Sequence, residues 1–206
     1  MKTVLPYIMP EDSAAKQAIL KAALELFVCH GVDETSIRDL ARKTGYSNPV
    51  LFKHFASKDK MASDLFARCY RHTSDVILAD WEAKDFPGRL RETLERYLHL
   101  LDEDLKLALY VNENLRRFWP KVPASLRKRS LLRHMQGLIA EGTPRDNEDI
   151  VLLTAAVLGF LGQLARMLYF GEIQGSAVSQ IGGVTRIVQG MITGNAMTAK
   201  AVGRRH

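Results

Sequence analysis

Just after Ser47 the chain places Asn48, Pro49, Val50, Phe52, Lys53 and His54, side chains whose types suit the edges of DNA base pairs. Asn48 offers an amide that both donates and accepts. Pro49 or Val50 offers an apolar surface for a thymine methyl, and Lys53 and His54 offer donors for guanine or phosphate oxygens. If this stretch is helical, Leu51 and Phe55 are four apart and face inward, while Asn48, Pro49, Phe52 and Lys53 share roughly the opposite face. Downstream, Ser57-Lys58-Asp59-Lys60 reads as a further helix start, whose first amides together with Lys58 would make a phosphate site.

Two short helices have to hold that face. Thr35 or Ser36 can cap the first; the Ser36-to-Asp39 spacing is that of a capping box, and Asp39 sets a negative charge in the positive first turn. Ile37, Leu40 and Ala41 fall on one side of this helix, and Arg38, Arg42 and Lys43 point elsewhere. Gly45 ends it. Ser47 is the next cap candidate, and Pro49 is tolerated because first-turn amides lack an intrahelical acceptor. Helices broken in this way by a glycine turn place one helix in the DNA major groove. An ordinary helical hairpin with solvated charges carries the same local signature.

The wider pattern separates the two. Ala15-Ile19-Ala22-Ala23-Leu26-Phe27, then Gly31, Thr35-Ser36-Ile37-Arg38-Asp39-Leu40-Ala41, Gly45-Tyr46-Ser47, Leu51-Phe52-Lys53-His54-Phe55 and Ser57-Lys58 closely resemble the N-terminal domain of TetR-family transcriptional regulators, over about residues 14–70. The resemblance implies DNA contacts drawn from Thr35, Ser36, Arg38, Tyr46, Asn48, Pro49, Val50, Phe52, Lys53, His54 and Lys58. It also implies a double-stranded DNA operator, a homodimer formed through the last two long helices, and a small-molecule effector held among the C-terminal helices. The sequence departs from the family pattern twice. Phe52 stands where a tyrosine is common, and Val50 where a threonine is frequent. Base readout is therefore expected to be more apolar than usual, each missing hydrogen bond being worth about 1 kcal/mol.

A chain of 206 residues with 47% hydrophobic residues can bury a core, and a net charge of +6 favours an acidic partner such as nucleic acid. Arg116-Arg117 and Arg127-Lys128-Arg129 read as solvated helix faces. Cys29 and Cys69 are too few for a disulfide framework, lack zinc-motif spacing, and are expected as small buried side chains in a reducing cytoplasm. Residues 1–12 read as a loose arm with no export signal. The most apolar run, Ile150 to Leu161, is shorter than a bilayer requires, so no membrane span is expected.

The whole chain reads as all-α. An N-terminal three-helix helix-turn-helix DNA-binding domain over 13–73, with its motif at 36–55, should join through a connecting helix to a larger helical ligand-binding and dimerisation domain over 74–200. Expected helices are 14–30, one from Ser57 into Ala79 or Trp81, then 89–101, 104–118, 123–141, 146–170 and 176–199, with Asp85-Phe86-Pro87-Gly88 at the domain boundary. The penultimate helix is apolar nearly all round and needs cover on more than one side. The last carries Gly182, Gly183, Gly190 and Gly194, each costing up to about 1 kcal/mol relative to alanine. Tyr97, Tyr110, Phe118, Trp119, Met135, Phe160 and Met167 are the candidate lining of an effector pocket. His99 with Asp102 or Glu103, and His134 with Glu141, are the nearest His-carboxylate groupings. Neither has metal-site spacing or a nucleophile, so no catalytic residue, metal or cofactor is expected. A basic helical adaptor that binds protein, with a vestigial helix-turn-helix, is the competing reading.

Overall fold

The computed structural model describes residues 5–143 and 146–194, and by its contacts these form two compact units. The first contains the described residues up to Asp75 together with Asp104–Lys128; the second contains Val76–Glu103 and the described residues from Arg129 onward. Residues 104–128, expected on the C-terminal side of the boundary, thus belong with the N-terminal helices. No strand occurs among the described residues.

The first unit is built from α1 (Ala14–His30), α2 (Ile37–Thr44), α3 (Asn48–His54), most of α4 (Lys58–Ile77), the second half of α5 (Phe86–Phe118), a 3-10 turn at Trp119–Lys121, and α6 (Ala124–Arg127). Ser13 caps α1 through the Lys16 amide, and Gly31 closes it at φ 83°, a left-handed backbone that glycine adopts without a Cβ clash. Ile19, Leu20, Phe27, Leu40, Leu51 and Phe66 make a buried core. Into it the second half of α5 inserts Tyr110 and Phe118. The Tyr110 ring stacks 6.0 Å from Phe27, its hydroxyl donates to the Ala62 carbonyl at 2.9 Å, and Phe118 lies 5.6 Å from Phe66.

The N-terminal arm is not loose from Leu5 onward; residues 1–4, including Lys2, lie outside the described set. Tyr7 is buried, its carbonyl accepts from Arg68, and the buried Asp12 carboxylate receives Arg68, Lys16 and the Met9 amide. Burial alone would raise the Asp12 carboxyl; these hydrogen bonds outweigh it and hold the group well below the usual carboxylate range. Cys69 is buried as expected, and burial pushes its thiol up. Cys29, expected to be buried, is exposed, because the buried side of α1 runs through Ile19, Leu20, Ala22, Ala23, Leu24 and Phe27 and leaves position 29 outside it.

The second unit contains the first half of α5, α7 (Leu131–Gly142), α8 (Asn147–Tyr169) and α9 (Ile181–Thr193). Leu90, Leu94 and Leu98 are fully buried, as are Ile139, Val157, Val188 and Ile192. The stretch after α4, which ends at Ile77 rather than at Ala79 or Trp81, is pinned to α5: Trp81 Nε1 donates to Thr93 at 3.0 Å, the Glu82 and Ala83 amides to Glu92, and Arg96 to the Ala79 and Asp80 carbonyls. Asp102 receives the amides of Ala177 and Val178 and so fixes the approach to α9.

Three helix boundaries differ from expectation for local reasons. The expected helices 89–101 and 104–118 are one element with a break at Asp104 (φ −153°, ψ 82°), whose carboxylate caps the resumed helix through the Leu107 amide. The expected helix 123–141 is two, since Ser130 takes an extended backbone and caps α7. The last helix runs from Ile181 to Thr193, after a 3-10 turn, rather than over 176–199, and Gly194, expected inside it, is its C-cap at φ 64°. The break at Pro144 and the mobile end expected at 203–206 lie outside the described residues. By length and composition α8 could cross a membrane, with a mean hydropathy of 1.8, so the expectation drawn from the shorter run 150–161 understated it. Its Thr154, Val157, Leu161, Leu164 and Ala165 are nevertheless buried, and it packs against α7 and α9.

Candidate nucleic-acid interface

The turn between α2 and α3 is fixed by polar groups of its own residues. The Asp39 amide donates to Ser36 Oγ at 3.2 Å, and the Ser36 amide and hydroxyl donate to the Asp39 carboxylate at 3.0 and 2.6 Å, completing the capping box. These bonds from the Ser36 side chain and then its backbone hold the Asp39 carboxyl below its ordinary range. Gly45 turns the chain at φ 75° and its amide closes on the Ala41 carbonyl at 2.9 Å. Ser47 occupies the cap position of α3 but its side chain makes no cap hydrogen bond; its carbonyl instead accepts from Val50 and Leu51.

Leu51 and Phe55 anchor α3 in the core, so the helix has only one way to face. Outward it presents Asn48, Pro49, Phe52 and Lys53, all exposed, with Phe52 at 50%. Val50, His54 and Tyr46 are half-buried at the margin of this face. Arg38 and Ser36 are exposed on the neighbouring α2 end, whereas Arg42 is paired with Asp39 at 2.8 Å and Lys43 with Glu25 at 2.6 Å. A short helix with an amide, a ring, a proline and an ammonium on its open side, flanked by guanidinium, has the composition of a major-groove reader.

Two expected contact residues are engaged within the chain. Thr35 is only 2% exposed, and its hydroxyl donates to the Gly31 carbonyl at 2.8 Å. Lys58 reaches back with its ammonium to the carbonyls of Asp33 at 2.9 Å and Thr35 at 2.8 Å. Together they tie the loop ahead of α2. A third brace went unread in the sequence: Arg117 pairs with Asp33 at 2.7 Å and Asp59 at 3.3 Å, and Lys121 with Asp59. The Lys121 hydrogen bond first, then Arg117, keeps the Asp59 carboxyl below its usual range. These pairs are partly exposed, worth about 0–1 kcal/mol each, and act more by orientation than by stability. A basic residue near a helix end was visible; its acidic partner 84 positions away was not.

The seven candidate pocket residues are divided between the two units. Tyr110 and Phe118 are fully buried in the first unit's core, and Trp119 lies there against Tyr70 at 5.2 Å. Tyr97, Met135, Phe160 and Met167 belong to the second unit, where Tyr97 donates to the Leu161 carbonyl, Met135 is buried and Met167 is 39% exposed. Of the His-carboxylate groupings, Asp102 serves the Ala177 and Val178 amides, Glu141 pairs with Arg89 at 2.7 Å, and His134 lies 5.0 Å from the Trp81 ring.

Residues 19–65 match the family of bacterial regulatory proteins called the tetR family. Among curated relatives, the chain is 28% identical over 123 residues to the HTH-type transcriptional activator FasR of Mycolicibacterium smegmatis, covering 58% of this chain and 54% of that protein. It is 30% identical over 93 residues to the HTH-type transcriptional regulator AcrR of Shigella flexneri, covering 45% and 42%. The chain thus spans about half the length of the curated relatives it matches, or less. A solved tetR-family regulatory protein from Rhodococcus RHA1 shares its fold at a TM-score of 0.71 and 18% identity, over 88% of this chain and 98% of that one. The transcriptional regulator FadR from Bacillus subtilis, solved with stearoyl-CoA, does so at 0.63 and 17%, over 84% and 96%. The capped α2, the Gly45 turn and the anchored α3 all lie inside the matched stretch, so the similarity of this chain to the tetR family of bacterial regulatory proteins is carried by residues 19–65.

Proposed function

We propose that the protein is a homodimeric transcriptional repressor that acts in the cytoplasm, occupies a pseudo-palindromic DNA operator, and is released by a small apolar or aromatic ligand. The observation that carries this reading is the outward face of α3, where Asn48, Pro49, Phe52 and Lys53 stand exposed on a helix whose other side is locked by Leu51 and Phe55. Arg38, Ser36, Tyr46, Val50 and His54 surround it and supply the remaining contacts, while Thr35 and Lys58 position them from within. One such face reads one half-site, so a two-fold operator calls for a second copy.

The second unit supports pairing. Val151, Leu152 and Met167 on α8, Phe170 just after it, and Ile187 on α9 are large apolar side chains left exposed, Leu152 at 64% and Phe170 at 70%. Among the described residues, a Cβ added at Gly159, Gly162, Gly182, Gly183 or Gly190 would meet nothing within 4 Å beyond its own stretch of helix. Glycines that weaken helices without an intrachain packing reason suit close approach by another helix. A ligand that prefers the DNA-incompetent form lowers operator affinity by its differential affinity for the two forms.

Selection of bound fragments from a random duplex pool tests the reading. An enriched motif with two-fold symmetry is the expected result, and a pool without one would remove specific operator binding. Binding that survives in a single-headed form at equal affinity would remove the dimer.

A further inference from the structure

Resting on the proposed operator binding, we infer that Phe52 is a specificity-determining residue that reads a thymine methyl group, so that each half-site is chosen by an apolar contact as well as by hydrogen bonds. Phe52 is 50% exposed and lies on the open side of α3 between the polar groups of Asn48 and Lys53. Among the described residues of the first unit, Phe52 and Leu115 are the exposed large hydrophobic side chains, and Phe52 alone sits on the reading face. No ring contact covers it: the aromatic cluster of this unit comprises Phe27, Phe66, Tyr70, Tyr110, Phe118 and Trp119. A phenyl ring neither donates nor accepts a conventional hydrogen bond. Pressed against a guanine, cytosine or adenine edge, it would strip water from polar groups and give nothing back. The major-groove edge has one apolar group, the C5 methyl of thymine.

The neighbours agree with that occupant. Pro49 lacks an amide hydrogen and has no side-chain polar atom, and Val50 at the margin has no hydroxyl, so the apolar part of the face is continuous from Pro49 to Phe52. Lys53 and Arg38, both exposed, supply the positive charge that brings a phosphate backbone to this surface. Asn48 remains as the side-chain amide able to pair with a base edge.

The test removes only the methyl. From the enriched operator, each thymine of a half-site is replaced in turn by uracil, and affinity is measured for the parent protein and for Phe52→Ala, which changes an exposed side chain and leaves the fold intact. One position is expected to lose about fourfold on loss of the methyl, and about fifteenfold when both half-sites are changed. In Phe52→Ala, thymine and uracil at that position should bind alike. Equal losses in the parent and in Phe52→Ala would assign the methyl contact to another residue and overturn the inference; so would a parent indifferent to uracil at every position. Failure of the pool to yield any operator is a different result, since it strikes the DNA-binding reading before the question of the methyl arises.

Discussion

The two units expose apolar surface in different ways. The first hides its rings in one core and shows two large hydrophobic side chains, Phe52 and Leu115; the second shows Leu132, Val151, Leu152, Met167, Phe170 and Ile187. A surface that meets a charged, hydrated duplex can use a single ring, because most of its affinity comes from phosphates. A surface that meets a copy of itself relies on burying hydrocarbon, and is correspondingly apolar. Each unit also contains one tryptophan, Trp119 in the first and Trp81 in the second, so single-tryptophan forms report on each separately.

The contrast can be broken most severely at Tyr110. If it is a keystone of the first unit, Tyr110→Ala removes two ring contacts and the hydroxyl's hydrogen bond to the Ala62 carbonyl, lowering stability by about 3–5 kcal/mol. Denaturant midpoints followed by Trp119 fluorescence in a Trp81→Phe background measure this. A loss under about 1 kcal/mol would place Tyr110 outside the core.

Next in size is the clasp of Asp12. Removing the carboxylate in Asp12→Ala leaves Arg68 largely buried without its partner and costs about 3 kcal/mol at neutral pH. The sign in pH follows from a carboxyl held low in the folded state. Its contribution is present above the unfolded value of about 3.9 and is lost as pH falls through the lower folded value. The gap between the parent and Asp12→Ala should therefore be full at pH 7 and narrow on acidification below pH 4. A gap that widened in acid would contradict it.

The smallest effect belongs to the second unit. A methyl at Gly142 would come within 2.2 Å of the Phe86 ring, so Gly142→Ala should cost about 1–2 kcal/mol, read at Trp81, despite alanine's better helix propensity. Stabilisation instead would mean that the ring moves aside freely.

What the sequence disclosed and what it withheld divide along the distance over which each signal acts. Ser36, Asp39 and Gly45 declare a capped helix and its stop within ten residues, and all three act as their types suggest. Leu51 and Phe55 fix the outward face of α3 by spacing alone. Thr35 and Lys58 look identical in the sequence whether they meet a phosphate or a carbonyl; only the path of the loop before α2 decides, and it bends their donors inward. Tyr110 and Phe118 carried the periodicity of a buried face but no indication of whose core they would enter. Ser130 could have been read as a cap, and the apolar residues on both sides concealed the break it makes.

The return of residues 104–128 to the first unit has a consequence for how such a protein can be rearranged. A fragment ending at Asp75 would retain every residue proposed to read DNA and yet lack Tyr110 and Phe118, the rings that Phe27 and Phe66 pack against, as well as Arg117 and Lys121, which brace Asp33 and Asp59. The head is thus not a cassette that gene fusion could lift from the front of one regulator and graft to another. On the proposed reading, DNA specificity is better altered by point changes on the open face of α3, whose exposed side chains can be substituted without disturbing the interior.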